Sequence, residues 1–153
     1  MKHVLVGTLV GALALSASLA AQSQKPATGG EKPAAAGAAL GSVTLKTAVM
    51  ADGQRLAAGT YQVRLTGDSP KPGVGQTPES ERYVEFLRSG KVVGREIATV
   101  VPQAEIAQVA EPKGPRPAAG GARVEMLKGD DYVRVWINRG GVNYILHLPP
   151  AKG

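Results

Sequence analysis

The chain has 153 residues, with 18 Lys and Arg against 12 Asp and Glu, and it contains no cysteine. The lack of thiols excludes disulfides, a thiolate nucleophile, a Cys-based metal site and a lipidated N-terminal Cys. A fold of this size must therefore be held by a hydrophobic core alone, which a domain of about 100 residues can provide.

The N-terminus reads MKHVLVGTLVGALALSASLAAQSQ. Lys2 supplies a short positive region, Val4 to Leu15 an apolar run, and Ser18-Leu19-Ala20 a small-x-small cleavage signal before Ala21. This is the pattern of a cleaved secretory signal peptide over residues 1–20, with an uncleaved anchor as the alternative. The apolar run is too short and too rich in Gly and Ala for a membrane span. No other segment approaches that length, so no transmembrane span is expected once the signal is removed. The expected location is the periplasm or the cell exterior. Loss of Lys2 leaves 17 basic residues against 12 acidic ones, a mature charge of +5. Interspersed charge of this kind serves solubility, and it also permits contact with anionic envelope polymers or lipid headgroups.

Ala21 to Leu40, AQSQKPATGGEKPAAAGAAL, has no aromatic and no β-branched aliphatic residue. It cannot bury enough apolar area to offset its ordering entropy, and residues 21–40 are expected to be a flexible linker. The folded domain is expected at 41–149, followed by a disordered tail at 150–153. Within the domain, alternation of period two dominates. SVTLKTAV places Val43, Leu45, Thr47 and Val49 on one face. ADGQRLAAGTYQVRL holds an Asp52-Gly53 turn signal and then a strand with Tyr61, Val63 and Leu65 on one side. GDSPKPGVGQTPES is a loop by its Pro and Gly content. REIATVVPQAEIAQVA must be interrupted, or placed at an edge, by Pro102. Ala104 to Ala110 is compatible with a short helical turn, and EPKGPRPAAGG reads as a second, mobile loop.

The last third specifies a register. With Gly129-Asp130 and Gly140-Gly141 as turns, strands at 123–128, 131–138 and 143–148 form a meander. Met126 then faces Val133, Val124 faces Val135, Val133 faces Leu148, Val135 faces Leu146 and Ile137 faces Tyr144. All these pairs are apolar and share one face, and a slip of one residue would destroy the agreement. VEFLRSGKVV at Val84 and VEMLKGDDYV at Val124 repeat one pattern, which reads as two similar hairpins. In the first, Ser89-Gly90 turns the chain, Arg88 faces Lys91 and Val84 faces Arg95.

Candidate chemistry is sparse. His147 is the one histidine of the mature chain and is expected on a strand, facing out opposite Arg134, with no motif bringing a catalytic partner to it. Glu85 and Glu125 are equivalent in the repeat, yet Glu125 lies opposite Arg134, where a cross-strand ion pair is worth about 0.2–1 kcal/mol. A glycosidase pair would need a protecting cleft that one Trp and one Phe hardly supply. Gly129 to Asp131 lacks the spaced ligands of a calcium loop, and Gly73 to Gly75 lacks the context of a phosphate loop. No metal, cofactor or catalytic residue is expected, and the chain is read as a non-enzyme.

The outer face of the meander carries Arg123, Tyr132, Arg134, Trp136 and His147, the candidate ligand-binding set. Exposed Trp and Tyr would form a platform for sugar rings or a docking site for a protein. Two alternatives stand beside that reading. The groups satisfy one another, with Arg123 beside Trp136 in cation–π geometry, or a second sheet or the N-terminal strand covers the face as core. Tyr132, Arg134 and Trp136 locally mimic a nucleic-acid stripe, but Glu125 sits among them, and no nucleic acid is expected as a partner.

DGQRLAAGTYQVRL, through Leu56, Gly59, Tyr61 and Val63, resembles the L-x-x-G-x-Y-x-[VL] phrase of small exported bacterial β-proteins and of β-sandwich modules in envelope proteins. The mature stretch also looks like uncharacterised secreted proteins of soil bacteria. The resemblance implies a sandwich strand and no shared active site. The expectation is an all-β domain of about seven antiparallel strands, a small β-sandwich or partly open barrel ending in a three-stranded meander. The expected function is an exported, non-catalytic structural or protein-interaction module of the bacterial envelope or exterior. Its partner would be an envelope protein or a polysaccharide, the alternative being a carbohydrate-binding module that uses the aromatic face.

Overall fold

The computed structural model describes residues 32–153. The expected signal peptide and residues 21–31 of the expected linker lie outside the described residues. In chain order the elements are β1 (Ala39–Leu45), β2 (Val49–Ala51), β3 (Gln54–Leu56), β4 (Gly59–Leu65), β5 (Glu81–Arg88), β6 (Lys91–Pro102), α1 (Ile106–Val109), β7 (Ala122–Met126), β8 (Val133–Arg139) and β9 (Val142–Leu148).

Seven strands make one antiparallel sheet in the order β1-β4-β5-β6-β9-β8-β7, curled into a nearly closed barrel, and β2-β3 form a separate hairpin. The seam that stays open follows from parity. An odd number of strands, each antiparallel to its neighbour, leaves β1 and β7 running in the same direction. Closure would require a parallel pair, with slanted and weaker hydrogen bonds. The two edges approach through side chains instead: Val124 and Met126 of β7 pack against the cluster that holds Val43 and Leu45 of β1.

Alternation decides which side chains fill the barrel. Tyr61, Val63 and Leu65 of β4, Val84 and Phe86 of β5, and Val133, Val135 and Ile137 of β8 all point inward and are buried. The expected meander register is realised at every pair, from Met126 opposite Val133 to Ile137 opposite Tyr144. Its first turn is wider than two residues: β7 stops at Met126 and β8 starts at Val133, with the Leu127 N–H donating to the Tyr132 carbonyl at 2.9 Å. The other tight turns have positive φ at both central positions, Asp52-Gly53, Ser89-Gly90 and Gly140-Gly141. That is the geometry whose twist matches paired strands. Tyr61 also ties down the turn before its own strand, its hydroxyl donating to the Ala57 carbonyl at 2.7 Å.

The first copy of the repeat departs from expectation. Arg88 does face Lys91, but a bulge follows, so that Phe86 faces Gly94 and Val84 faces Glu96 rather than Arg95. The extra residue flips the parity of β6. Ala98 and Val100 then join the core while Arg95 points to solvent; unbulged pairing would have turned the arginine inward. Gly94 is the residue this geometry needs, because a Cβ there would lie 2.8 Å from Cδ2 of buried Leu56.

Two domain boundaries also differ. β1 begins at Ala39 and Leu40 is fully buried, so the folded part starts before Gly41. Ahead of it, the Ala34 N–H donates to the Tyr144 hydroxyl at 2.8 Å and the Gly37 N–H to the Leu65 carbonyl at 2.8 Å. A low-complexity segment is thus held by pairing backbone groups that need no side chain of their own. Thr47 lies in the turn after β1 rather than continuing it. The tail is tied down as well. Pro150 bridges Val49, the Ala151 N–H donates to the Ala48 carbonyl at 2.9 Å, and Arg55 donates to the Lys152 carbonyl at 3.2 Å. These contacts seat the β2-β3 hairpin, with buried Val49, Ala51 and Leu56, over one end of the barrel.

Candidate functional site

Topology determines the fate of the aromatic face. β6 borders β9, whereas the next strand, β7, lies beyond both β9 and β8. Residues 103–121 span the two strands to reach β7, and they do so over the outer face, as a strap that contains α1. Ile106 and Ala110 of the strap bury against Val101, Trp136 and Ile145, a second core outside the barrel wall. Trp136 is 0 % exposed.

The polar members of the face hold the strap by its backbone. Arg134 donates to the Glu111 carbonyl at 2.6 Å, Arg123 to the Pro115 carbonyl at 2.9 Å and Asn138 to the Pro117 carbonyl at 3.2 Å. Lys113 returns the contact twice, from its N–H to Glu125 Oε2 at 3.3 Å and from Nζ to the Met126 carbonyl at 2.6 Å. Trp136 Nε1 donates to Asn143 Oδ1 at 2.8 Å, and Asn143 Nδ2 donates to Gln103 Oε1 at 3.0 Å. A segment with few apolar side chains is ordered here by carbonyls that buried or half-buried side chains satisfy. The expectation of a mobile loop at 111–121 is corrected accordingly.

Glu125 is the electrostatic centre. Arg134 donates to its Oε1 from Nη2 at 2.5 Å and from Nε at 2.9 Å, while Arg123 Nε reaches Oε2 at 3.3 Å. The Glu125 and Arg134 side chains are only 7 % and 8 % exposed, so the small value of an exposed cross-strand pair does not apply. The cation over the Trp136 ring is Arg134, 5.4 Å from its centroid, and not Arg123. Burial alone would raise the Glu125 carboxyl, but the hydrogen bond and charge of Arg134, the Lys113 N–H and Arg123 outweigh it and hold the group below its ordinary range. Partial burial, with the Arg134 charge behind it, lowers the His147 imidazole.

Both depressions act on stability with the same sign. The unfolded chain takes up protons at higher pH than the folded one, so stability is complete above the ordinary imidazole pKa and declines with acid. One decline falls between the ordinary and depressed imidazole values, and a second begins below the ordinary carboxylate value. Urea midpoints at about pH 7, 5 and 3 should fall at each step, and Glu125→Gln should flatten the lower one. An unchanged lower step in that variant would show that Glu125 is solvated.

Of the five residues expected to bind ligand, Trp136 and Arg134 are buried under the strap and Arg123 is half-buried and engaged by it. They do not form an open platform. Tyr132 and His147 stay outside, in edge-to-face contact with ring centroids 6.3 Å apart. Among the described residues no group of three or more His, Asp or Glu side chains is placed to hold a metal.

The bare half of the wall lies elsewhere, on the outer face of β1, β4, β5 and β6. Ser42, Thr44, Gln62 and Arg64 are exposed there, with Tyr83, Glu85, Leu87 and Ile97 half-buried between them. Arg95 stacks over Tyr83 at 4.3 Å from the ring centroid, Arg64 pairs with Glu85 at 2.7 Å, and Arg95 reaches Asp52 at 3.2 Å. The outward residues of β1, β4 and β5 follow from alternation, but sequence reasoning missed the β6 part of this surface because Arg95 and Ile97 face outward only through the bulge. No protein-family model matches this chain, and no curated protein or solved structure matches it either.

Proposed function

We propose that this chain is an exported, non-catalytic interaction or structural module of the bacterial envelope or exterior. Its contact surface is the bare outer face of β4, β5 and β6. One observation carries the reading: the barrel is filled by its own side chains and the outside of β8 and β9 is covered by its own strap, while no described segment crosses the Tyr83, Leu87 and Ile97 face. Such a face, with a stacked Arg–Tyr pair among half-buried apolar side chains, has the composition of a protein contact. Among the described residues no helix is long and apolar enough to cross a membrane.

The test is photo-crosslinking in the exporting cell, with the reactive side chain at Ile97 or at Val109, an exposed strap residue on the covered side. A discrete adduct from Ile97 and none from Val109 is expected. Equal labelling from both positions, or none from either, would sink the reading. A carbohydrate-binding role keeps one supporting observation, the exposed Tyr132 against His147, and glycan titration of a Tyr132→Ala variant addresses it.

A further inference from the structure

Strand polarity gathers charge unevenly. β1, β5, β7 and β9 end, and β4, β6 and β8 begin, at the end of the barrel capped by the β2-β3 hairpin. Residues scattered in sequence therefore meet there: Lys46 after β1, Arg55 in the cap, Arg88 and Lys91 at the β5-β6 turn, Lys128 after β7, and Lys152 after β9. All six are exposed, and none makes an ion pair among the described residues. The acids at this end are Asp52, paired with Arg95, Glu96, which accepts from the Asp52 N–H at 2.9 Å, and Asp130 and Asp131 in one turn. At the opposite end Lys32, Lys71, Arg82 and Arg139 are matched by Asp68, Glu79, Glu81 and Glu105. Among the described residues, basic side chains thus outnumber acidic ones at the capped end and do not at the opposite end.

Apolar side chains accompany that charge. Val92 and Val93, beside Lys91, are 47 % and 38 % exposed, and Tyr132, at the start of β8, is 46 % exposed. We infer that the capped end is a docking surface for an anionic phospholipid bilayer. The basic side chains would sit in the headgroup layer, and Val92, Val93 and Tyr132 would enter the interface. Basic residues near an anionic leaflet add binding energy one by one, and exposed aliphatic and Tyr side chains gain from the interfacial region as they would not from a hydrated polymer. The inference rests on the reading of this chain as an exported module. The two surfaces adjoin where Val92 pairs with Leu87, but the basic side chains of the capped end lie outside the Tyr83 face, so either reading can fail alone.

Vesicle co-sedimentation of the full chain tests it. Phosphatidylglycerol–phosphatidylcholine vesicles should bind the protein in low salt and release it as salt rises, and phosphatidylcholine vesicles should bind it much less. Lys91→Glu with Lys128→Glu should weaken binding by about tenfold or more, while Lys71→Glu with Arg139→Glu, at the other end, should leave it unchanged. Val92→Ser with Tyr132→Ser should weaken vesicle binding but not the binding of soluble polyphosphate. Protected Trp136 fluorescence reports that each variant is folded. Equal binding to neutral vesicles, equal loss from variants at both ends, or indifference to the Val92 and Tyr132 changes would overturn the inference. The last of these would indicate a soluble polyanion in place of a bilayer. Crosslinking from Ile97 is read independently, so loss of vesicle binding with that adduct retained removes the lipid surface and leaves the protein-contact reading standing.

Discussion

Trp136→Ala should lower the stability of the domain by about 3–5 kcal/mol, the usual cost of removing a large buried aromatic side chain. Trp136 is the contact through which α1 is held to the barrel, since Ile106, Ala110, Val101 and Ile145 meet around it. Its loss opens a cavity between strap and wall and also leaves Asn143 Oδ1 without its donor in a buried site. Urea unfolding followed by far-UV circular dichroism measures the change. In the wild type, the fluorescence of this residue should be blue-shifted and protected from acrylamide until the global transition. A red-shifted signal, quenched already in native buffer, would mean that the strap does not cover the face in solution. Trp136→Phe separates the two contributions, because it keeps most of the packing and loses only the indole N–H.

Arg134→Met should cost a similar amount, about 3–5 kcal/mol, for an electrostatic reason. The substitution leaves Glu125 buried with only Arg123 and the Lys113 N–H as partners, and it frees the Glu111 carbonyl from its donor. Replacing Glu125 as well, in Arg134→Met with Glu125→Leu, should recover much of the loss, since a buried ion pair is often no more stabilising than apolar side chains of similar volume. The double-mutant cycle therefore carries the information. A single-mutant cost below about 1 kcal/mol would put the pair in the class of exposed ion pairs. The strap would then be held by Trp136 and by the remaining hydrogen bonds to Pro115, Pro117 and Met126. Full recovery of stability without recovery of acrylamide protection would assign the arginine to positioning the strap rather than to stabilising the barrel.

The meander was legible because three consecutive strands with short turns are a local problem. Glycine positions at Gly140-Gly141 and the inward set Val124, Met126, Val133, Val135, Ile137, Tyr144, Leu146 and Leu148 allow a single register. The Tyr61, Val63 and Leu65 strand and the Asp52-Gly53 turn were legible for the same reason. The first hairpin was legible only up to its turn. No local rule requires the bulge before Gly94; it is favoured because Ala98 and Val100 suit the core and Arg95 does not. Leu40 and Ala151 were assigned to disordered ends because the composition around them offers little to bury; Leu40 alone reaches the core, and the residues beside it and the tail are held by backbone hydrogen bonds to segments far away in sequence.

The candidate site shows the same division. Arg123, Tyr132, Arg134, Trp136 and His147 were correctly placed on one face, since period-two alternation determines which residues point together. What lies over that face could not be read from alternation. Amino-acid order alone determined an all-β chain, its hairpins, the C-terminal register and the inward side chains, because those follow from short-range sterics and from the apolar pattern. The tertiary structure decided that β6 would lie beside β9 and not beside β7. The segment that connects β6 to β7 then packs over the outer face of β8 and β9, held by Ile106 and Ala110, which made Trp136 core, turned the Glu125–Arg134 pair into a buried one, and left the wall around Tyr83 open among the described residues. Strand order is set by which long-range pairings together bury the most apolar area, a property of the whole chain that no short window of it contains.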